Sequence, residues 1–445
     1  MSPQETIFRF LRHDCDLKQG KATFSFELQT PNQTYSFTEK LHFQPVMATQ
    51  INQSALTQVL DMLLLMLGIS YWKTTCAKTI EIPSTLTLST TQATFWNTIY
   101  TDGLGEFYFK NNIDYLGLVN FPITDNKPLP QPVSLSPKDR SLVFFGGGKD
   151  SVVTVELMKK ANKPFDVFVV NESGIQQQTA TAAQAQVLEI KRIVDARLIE
   201  LNNLPGIYNG HVPVSAIWAC IGLFAALIYD FRYLIVSNEQ SANYGNAMYL
   251  GKEVNHQWSK SEEFEKLFQT YVAENITKEI TYFSLLRPLH EIKIAELFTN
   301  FPQYFPYFSS CNKNFKIVDP LTEKRWCGEC PKCLFVFVLL SAFLPKKEVV
   351  KIFGSNLYEN QELAILLDEL TGKTSFKPFE CVGTPEETLL ALQLAHERGE
   401  YEQDFLMEHA KNELLPIMKN LARLKASLLT VGNKETLPPS FKNIL

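Results

Sequence analysis

Leu142-Val-Phe-Phe-Gly-Gly-Gly-Lys-Asp-Ser151, continued by Val-Val-Thr-Val-Glu-Leu-Met158, decides how the rest of the chain is read. Leu142 to Phe145 has the length and make-up of a short buried strand, and Val152, Val153, Leu157 and Met158 recur at helical spacing after it. Between the two lie Gly146, Gly147 and Gly148. A strand, a glycine turn and a helix start aim free backbone N–H groups at an anion. Glycines let the backbone approach phosphate closely and take positive φ. The helix start adds partial positive charge, and Lys149 adds a full one. Asp150 would repel a phosphate, so its expected place is as a helix cap or as a holder of Mg²⁺ that bridges phosphates. Gly146 to Ser151 is therefore the candidate phosphate loop.

Downstream of this loop, strand and helix patterns alternate. Phe165–Val170 reads as a strand, Ala180–Ile193 as a helix, residues 196–200 as a weaker strand, Val214–Tyr229 as an apolar helix and Tyr233–Val236 as a strand. Such alternation predicts a parallel sheet with right-handed crossovers, in which ligands bind beyond the carboxyl ends of the strands. The polar groups after each strand are then site candidates: Gly146 to Ser151, the stretch begun by Asn171, and Ser237-Asn238-Glu239-Gln240-Ser241. His211 stands at the entry to the apolar helix. His256 and Lys260 read as one turn apart on one face of a helix start. The run from Val212 to Phe231 has nearly the length of a membrane span, but Pro213, Ser215 and Asp230 and the absence of basic flanks predict a buried helix on a sheet.

Upstream, residues 5–45 alternate apolar and polar side chains around Pro31-Asn32-Gln33, which predicts antiparallel strands and a hairpin. Leu56–Leu67 and Thr90–Tyr100 read as helices and Ile80–Leu88 as a strand. Residues 1–134 are expected to form an α+β domain with no catalytic constellation, its Trp72, Trp96 and Phe107–Tyr115 aromatics being core. Four prolines between Lys127 and Lys138 read as an extended linker. Residues 135–345 are expected to form the α/β catalytic domain, and residues 346–445 a mostly helical region.

Four of the eight cysteines stand as Cys311 and the C-x-x-C-x-x-C run Cys327, Cys330 and Cys333. That is metal-ligand spacing, suited to a structural Zn²⁺ or to an Fe–S cluster, followed by an apolar helix that would anchor the knuckle. Cys381 lies in Lys377-Pro-Phe-Glu-Cys-Val-Gly383, between an acidic neighbour and a glycine turn. The 445-residue chain carries 20% charged and 45% hydrophobic residues, an ordinary globular composition. A net charge of −5 argues against a general nucleic-acid binder. The polar, acidic start carries no signal-peptide pattern, so a cytoplasmic protein without membrane insertion is expected.

The Gly-Gly-Gly-Lys-Asp-Ser loop resembles the Ser-Gly-Gly-x-Asp-Ser loop of the ATP pyrophosphatase (PP-loop) family, with Gly146 where the family usually has Ser. The cysteine arrangement is similar to that of the 7-cyano-7-deazaguanine synthases, which share that loop. As an ordered set, the loop, Asn209–Val214, Ser237–Ala242, Val254–Ser261, Tyr282–Pro288, Phe308–Asn312, Arg325–Cys333 and Lys377–Gly383 resemble the UDP-N-acetylmuramoyl-L-alanyl-L-glutamate epimerase family. The resemblance implies a PP-loop fold, ATP with Mg²⁺, and inversion of the terminal L-Glu of UDP-MurNAc-L-Ala-L-Glu with release of AMP and diphosphate. On that implication Gly146–Ser151, Asn171, Ser237 and Asn238 bind the nucleotide, with Asp150 on Mg²⁺. The acid and base then come from His211, Glu239, His256, Lys260 and Cys381, and the residues do not choose between them. An amide-, nitrile-forming or RNA-modifying PP-loop enzyme, and an idle nucleotide-binding scaffold, remain the other readings.

Overall fold

The computed structural model describes residues 6–47, 51–124, 129–315, 324–374 and 376–445. The polar start of the chain and the beginning of the proline-rich linker, Lys127 and Pro128, lie outside the described residues. Three antiparallel strands come first: β1 (Ile7–Asp16), β2 (Lys21–Gln29) and β3 (Thr34–His42). Helix α1 (Gln53–Trp72), strand β4 (Thr79–Glu81) and helices α2 (Thr90–Asp102) and α3 (Gly105–Asn111) follow. The alternating part runs β5 (Ser141–Phe144), α4 (Lys149–Lys160), β6 (Phe165–Val170), α5 (Gly174–Ala182), β7 (Val187–Ile193), α6 (Ala196–Leu201), α7 (Val214–Tyr229) and β8 (Tyr233–Val236). A small hairpin of β9 (Ala247–Tyr249) and β10 (Lys252–Val254), helix α8 (Glu262–Asn275), strand β11 (Thr281–Ser284) and helix α9 (Glu291–Phe298) complete it. The remainder is helical: α10 (Pro331–Ser341), α11 (Lys346–Phe353), α12 (Ala364–Leu370), α13 (Pro385–Glu397), α14 (Phe405–His409) and α15 (Leu421–Leu428).

Among the described residues nine strands form one sheet, in the order β11-β8-β5-β6-β7-β3-β2-β1-β4. The five strands from β11 to β7 are parallel. Chain order reverses between β5, which leads to β6 on one side, and β8 on the other. That reversal is a topological switch point, where the two flanking loops diverge and leave a crevice. Strand residues point alternately to the two faces: Leu142 and Leu234 enter one core with α1, α2 and α7, while Val143 and Ile235 enter another with α4, α9 and α10.

The sheet continues across the expected boundary at residue 134. Strand β3 pairs antiparallel with β7, Leu41 opposite Arg192. A buried ion pair clamps this seam, with Arg192 Nε donating to Glu39 Oε1 at 2.5 Å. Helix α1 packs on α7 beneath it. Helix α1 is long and apolar enough to cross a membrane by length and composition, yet most of it is buried within the fold, and the apolar α7 is likewise buried. Trp72, Trp96, Phe107 and Tyr108 are core residues.

Three local readings are corrected. The stretch expected as a helix from Ala180 to Ile193 ends its helix at Ala182. Gln184 turns left-handed at φ 49°, and Val187–Ile193 is strand β7. The expected strand at 196–200 is helix α6, started by Asp195 accepting from Arg197 N–H. The expected strand Ile80–Leu88 is limited to Thr79–Glu81.

Candidate active site

The glycine loop sits at the switch point. Gly147 has φ +75°, and a Cβ there would lie 3.1 Å from Ile175 Cγ2 and 3.3 Å from the Gln176 backbone. A side chain at this position would therefore be strained and crowded. Gly146 differs, with nothing within 4 Å of a Cβ. Gly148 is the N-cap of α4 and makes no side-chain cap, so the first N–H groups of the helix are left without the acceptor that a capping side chain supplies. Ser151 donates back to the Gly148 carbonyl at 3.0 Å. The loop is held from outside by Gln176 Nε2 donating to the Phe145 carbonyl and by Ser309 N–H donating to the Gly147 carbonyl. Beside Gly148 stands Ser310, whose buried hydroxyl has no hydrogen-bond partner among the described residues.

Asp150 is not the cap; it lies in the first turn of α4, where a carboxylate suits the helix dipole, and it pairs with Lys149. Lys149 is fully buried and also pairs with Glu291 at the start of α9. Glu291 takes a second lysine, Lys332 of α10, at 3.3 Å. Burial would raise the Glu291 carboxyl, but Lys149 and Lys332 outweigh it and hold it low. Glu239, buried just beyond β8, moves the other way, because burial and then the Glu291 charge raise its proton affinity.

A second group of side chains adjoins this network. Lys332 Nζ donates to the Cys381 carbonyl, and Lys260 Nζ lies 3.2 Å from Cys381 Sγ. His256 lies close enough to Cys381 for each to shift the other's proton affinity, and its Nδ1 hydrogen-bonds Glu106 of α3. His211 Nδ1 lies 3.2 Å from the same Glu106 oxygen, and the two imidazole rings are 4.9 Å apart. Burial alone would raise the Cys381 thiol, but Lys260 and then His256 outweigh it and lower it to about 5. Burial likewise opposes the charged form of His256, but Cys381 and Glu106 outweigh it and raise it to about 9. His211 is lowered to about 4 by burial and by the charge on His256. At neutral pH the site therefore holds a thiolate, an imidazolium and one neutral imidazole.

Buried Arg287 fixes these groups. It donates to the Glu239 carbonyl and the Lys260 carbonyl, both at 2.7 Å, and to Glu265 Oε2 at 2.9 Å. Asn246 bridges the Pro378 carbonyl and His256 N–H, tying the Cys381 segment to the His256 turn. That turn is corrected from the expected helix start: Trp258–Lys260 is one 3₁₀ turn, and α8 begins after Ser261, which caps it by accepting from Phe264 N–H.

Cys311, Cys327, Cys330 and Cys333 converge, with all four sulfurs within 4.8 Å of one another. The Cys330–Cys333, Cys327–Cys333 and Cys311–Cys330 separations are 3.4, 3.7 and 4.0 Å. Tetrahedral zinc with Zn–S bonds of about 2.3 Å places its sulfurs about 3.8 Å apart, so the set fits a metal ion. The knuckle borders the loop and the thiol together: Ser310 precedes Cys311, Lys332 lies between Cys330 and Cys333, and Asn312 hydrogen-bonds Glu380.

Of the sequence candidates, Asp150, Lys149, Glu239, His211, His256, Lys260 and Cys381 thus belong to one connected cluster. Ser237 lines the crevice, its hydroxyl sharing a 2.8 Å hydrogen bond with Thr154 of α4. Asn238 is buried behind it, its carbonyl accepting from Ser284 Oγ. Asn171 stands apart, its side chain engaged with the Arg192 backbone. The sequence did not reveal Glu106, Glu291 or Lys332 as site residues. Lys332 and Arg287 lay inside recognisable motifs, whereas Glu106 lies in the region expected to carry no catalytic group.

Thiol, imidazole and carboxyl groups of shifted proton affinity beside a glycine loop at the switch point are the make-up of a proton-transferring enzyme of the open α/β class. Residues 1–285 match the family model of the MurL N-terminal domain, and residues 307–424 that of the MurL C-terminal domain. Three relatives carry the name UDP-N-acetyl-alpha-D-muramoyl-L-alanyl-L-glutamate epimerase. The one from Xanthomonas oryzae pv. oryzae is 34% identical, over 98% of this chain and 96% of its own length. Those from Micromonospora sp. and Salinispora tropica are 33% and 31% identical, over 98% of this chain and 97% and 95% of their own lengths. The chain belongs to the MurL epimerase family and is an isomerase by class.

Proposed function

We propose that this chain inverts the terminal L-Glu of UDP-MurNAc-L-Ala-L-Glu to D-Glu, consuming ATP and releasing AMP and diphosphate. The reaction belongs to peptidoglycan precursor synthesis in the cytoplasm. The glutamyl Cα proton is very weakly acidic beside a free carboxylate, because its removal places a second negative charge next to the first. Adenylating that carboxylate removes the charge, one group then takes the proton and another returns it on the opposite face, and water releases the product.

One observation carries this reading. Lys149 of the glycine loop and the Cys381 segment are held by the same Glu291–Lys332 pair, which supports a reading in which carboxylate activation and proton transfer take place side by side. The uncapped start of α4 suits a triphosphate. The Ser310 hydroxyl, beside Gly148 and without a hydrogen-bond partner among the described residues, is a further donor available to the phosphates. Mg²⁺ would be held by the phosphates and Asp150. The four cysteines would hold a Zn²⁺ whose coordination is saturated, and whose role is structural.

The test is incubation of the purified protein with ATP, Mg²⁺ and UDP-MurNAc-L-Ala-L-Glu, followed by chiral analysis of the glutamate and measurement of diphosphate. D-Glu that appears only with ATP supports the reading. Diphosphate without inversion, or inversion without ATP, refutes it.

A further inference from the structure

We propose that Cys381 is a nucleophile, which takes the activated glutamyl group from AMP as a thioester, with His256 as its general base and acid and Glu106 as the group that orients His256. The inference rests on the proposed adenylation and adds a second covalent step to it.

The geometry is that of an activated nucleophile: a thiol in contact with a lysine ammonium and beside an imidazole, the imidazole held by a third group. Cys381, His256 and Glu106 stand in that order, although they lie far apart in the chain. Lys260, 3.2 Å from Sγ, supplies a fixed positive charge. Cys381 is partly exposed, unlike the buried Cys76 and Cys220. Its thiol, lowered to about 5, is poorly matched to taking a proton from carbon, because a general base works best with a pKa near the operating pH. Thiolate nucleophilicity falls only about half as steeply as basicity, so the same thiolate remains an effective nucleophile. Glu239 is raised in proton affinity and shares the field of Lys260 with Cys381, which makes it the better partner for the Cα proton.

The steps balance. The Cys381 thiolate gives its electron pair to the carboxyl carbon of the acyl-adenylate, the carbon–oxygen bond to phosphate breaks, AMP leaves with that pair, and the His256 imidazolium gives its proton to the departing phosphate oxygen, which leaves His256 neutral for the later step. A base removes the Cα proton of the thioester, whose carbonyl accepts the charge as an enolate, and a proton returns to the opposite face. Water then attacks the carbonyl, His256 takes its proton, the carbon–sulfur bond breaks, and the thiolate is restored. His211, neutral beside Glu106, is a positioning residue in this scheme.

The experiment is acid quenching of the whole protein within its first turnover with ATP, Mg²⁺ and UDP-MurNAc-L-Ala-L-Glu, followed by intact-protein mass measurement. The expected result is an adduct equal to the substrate minus one water, discharged by neutral hydroxylamine as the hydroxamate. His256→Gln should accumulate more adduct, because the deacylating water loses its base, and Cys381→Ala should form none. If neither wild type nor His256→Gln shows an adduct while D-Glu and diphosphate appear, the thioester is refuted and adenylation stands. An adduct that survives in Cys381→Ala also refutes it. If the wild type releases no substrate-dependent diphosphate, both proposals fall together.

Discussion

Glu106→Gln keeps the shape of the side chain and removes the charge that both histidines face. Burial disfavours charge on His256, and Cys381 and Glu106 together reverse this, lifting it from 6.5 to about 9. At about 1.36 kcal/mol per pH unit that rise is worth roughly 3.4 kcal/mol. The side chain is 16% exposed, so solvent screens little of it. If the two anions contribute equally, losing one takes away more than half of the net rise, at least roughly 1.7 kcal/mol, because the burial penalty remains. The imidazolium of the variant would then titrate at least about one pH unit lower. Activity that needs the thiolate and the imidazolium together rises through about pH 5 and falls through about pH 9 in the wild type. In Glu106→Gln the alkaline fall should begin at least about one unit earlier, and any loss of rate at neutral pH should come from the weaker hydrogen bond that orients His256. Stability moves as well. Glu106 is held at about 2 against an ordinary 4.5, because His256 outweighs the opposing effect of burial. A depressed carboxyl stabilises the fold above its ordinary pKa, and that contribution is lost as pH falls from about 4.5 toward 2. The variant has none to lose. Solvent deuterium incorporation at the glutamyl Cα, measured from pH 5 to about 10, gives the rate profile. An alkaline limb that stays at its wild-type position would refute the Glu106–His256 coupling.

Gly147→Ala should destabilise by about 1–2 kcal/mol, since the added Cβ meets a positive φ and two close neighbours, whereas Gly146→Ser should change the unfolding free energy measured in urea by less than about 0.5 kcal/mol. Equal effects at the two positions would contradict the loop geometry. Arg287→Met leaves Glu265 buried without its partner and releases the Glu239 and Lys260 carbonyls, an expected loss of about 3–5 kcal/mol in chemical unfolding. A loss below about 1 kcal/mol would mean that the site is held by something else. The purified protein should contain about one zinc per chain. Cys333→Ser should lower both metal content and thermal midpoint, as read by elemental analysis and calorimetry, and an unchanged midpoint would remove the structural role.

Much of the architecture was legible because apolar runs end at strong punctuation. Tyr233–Val236 and Val214–Tyr229 carry a uniform apolar signal, closed by Asp230 in a left-handed turn. The stretch from Ala180 misled because its alanines favour helix, while the alternation of Leu188 and Ile190 with Glu189 and Lys191 begins only after Gln184 has turned the chain. Helix α6 has six residues, too few to show a helical period. At the site, residues on loops following strands could be found from the chain order alone. Glu291 could not, because a carboxylate at a helix start reads as ordinary dipole compensation, and Lys332 was hidden among the cysteines of its motif. Glu106 lies 150 positions from its hydrogen-bond partner His256, and a single carboxylate among core aromatics carries no local signal of such a contact.

The seam between β3 and β7 governs how this enzyme can be dissected. A fragment beginning near residue 135 would retain the glycine loop, the thiol and the cysteine knuckle, and would look complete on a map of motifs. It would also bare the backbone edge of β7 and strip α1 from α7, leaving Arg192 without its carboxylate partner. An open strand edge beside exposed apolar helix is a template for self-association, so the fragment should aggregate on expression. Co-expression with residues 1–134 as a separate polypeptide is the rescue that this seam predicts.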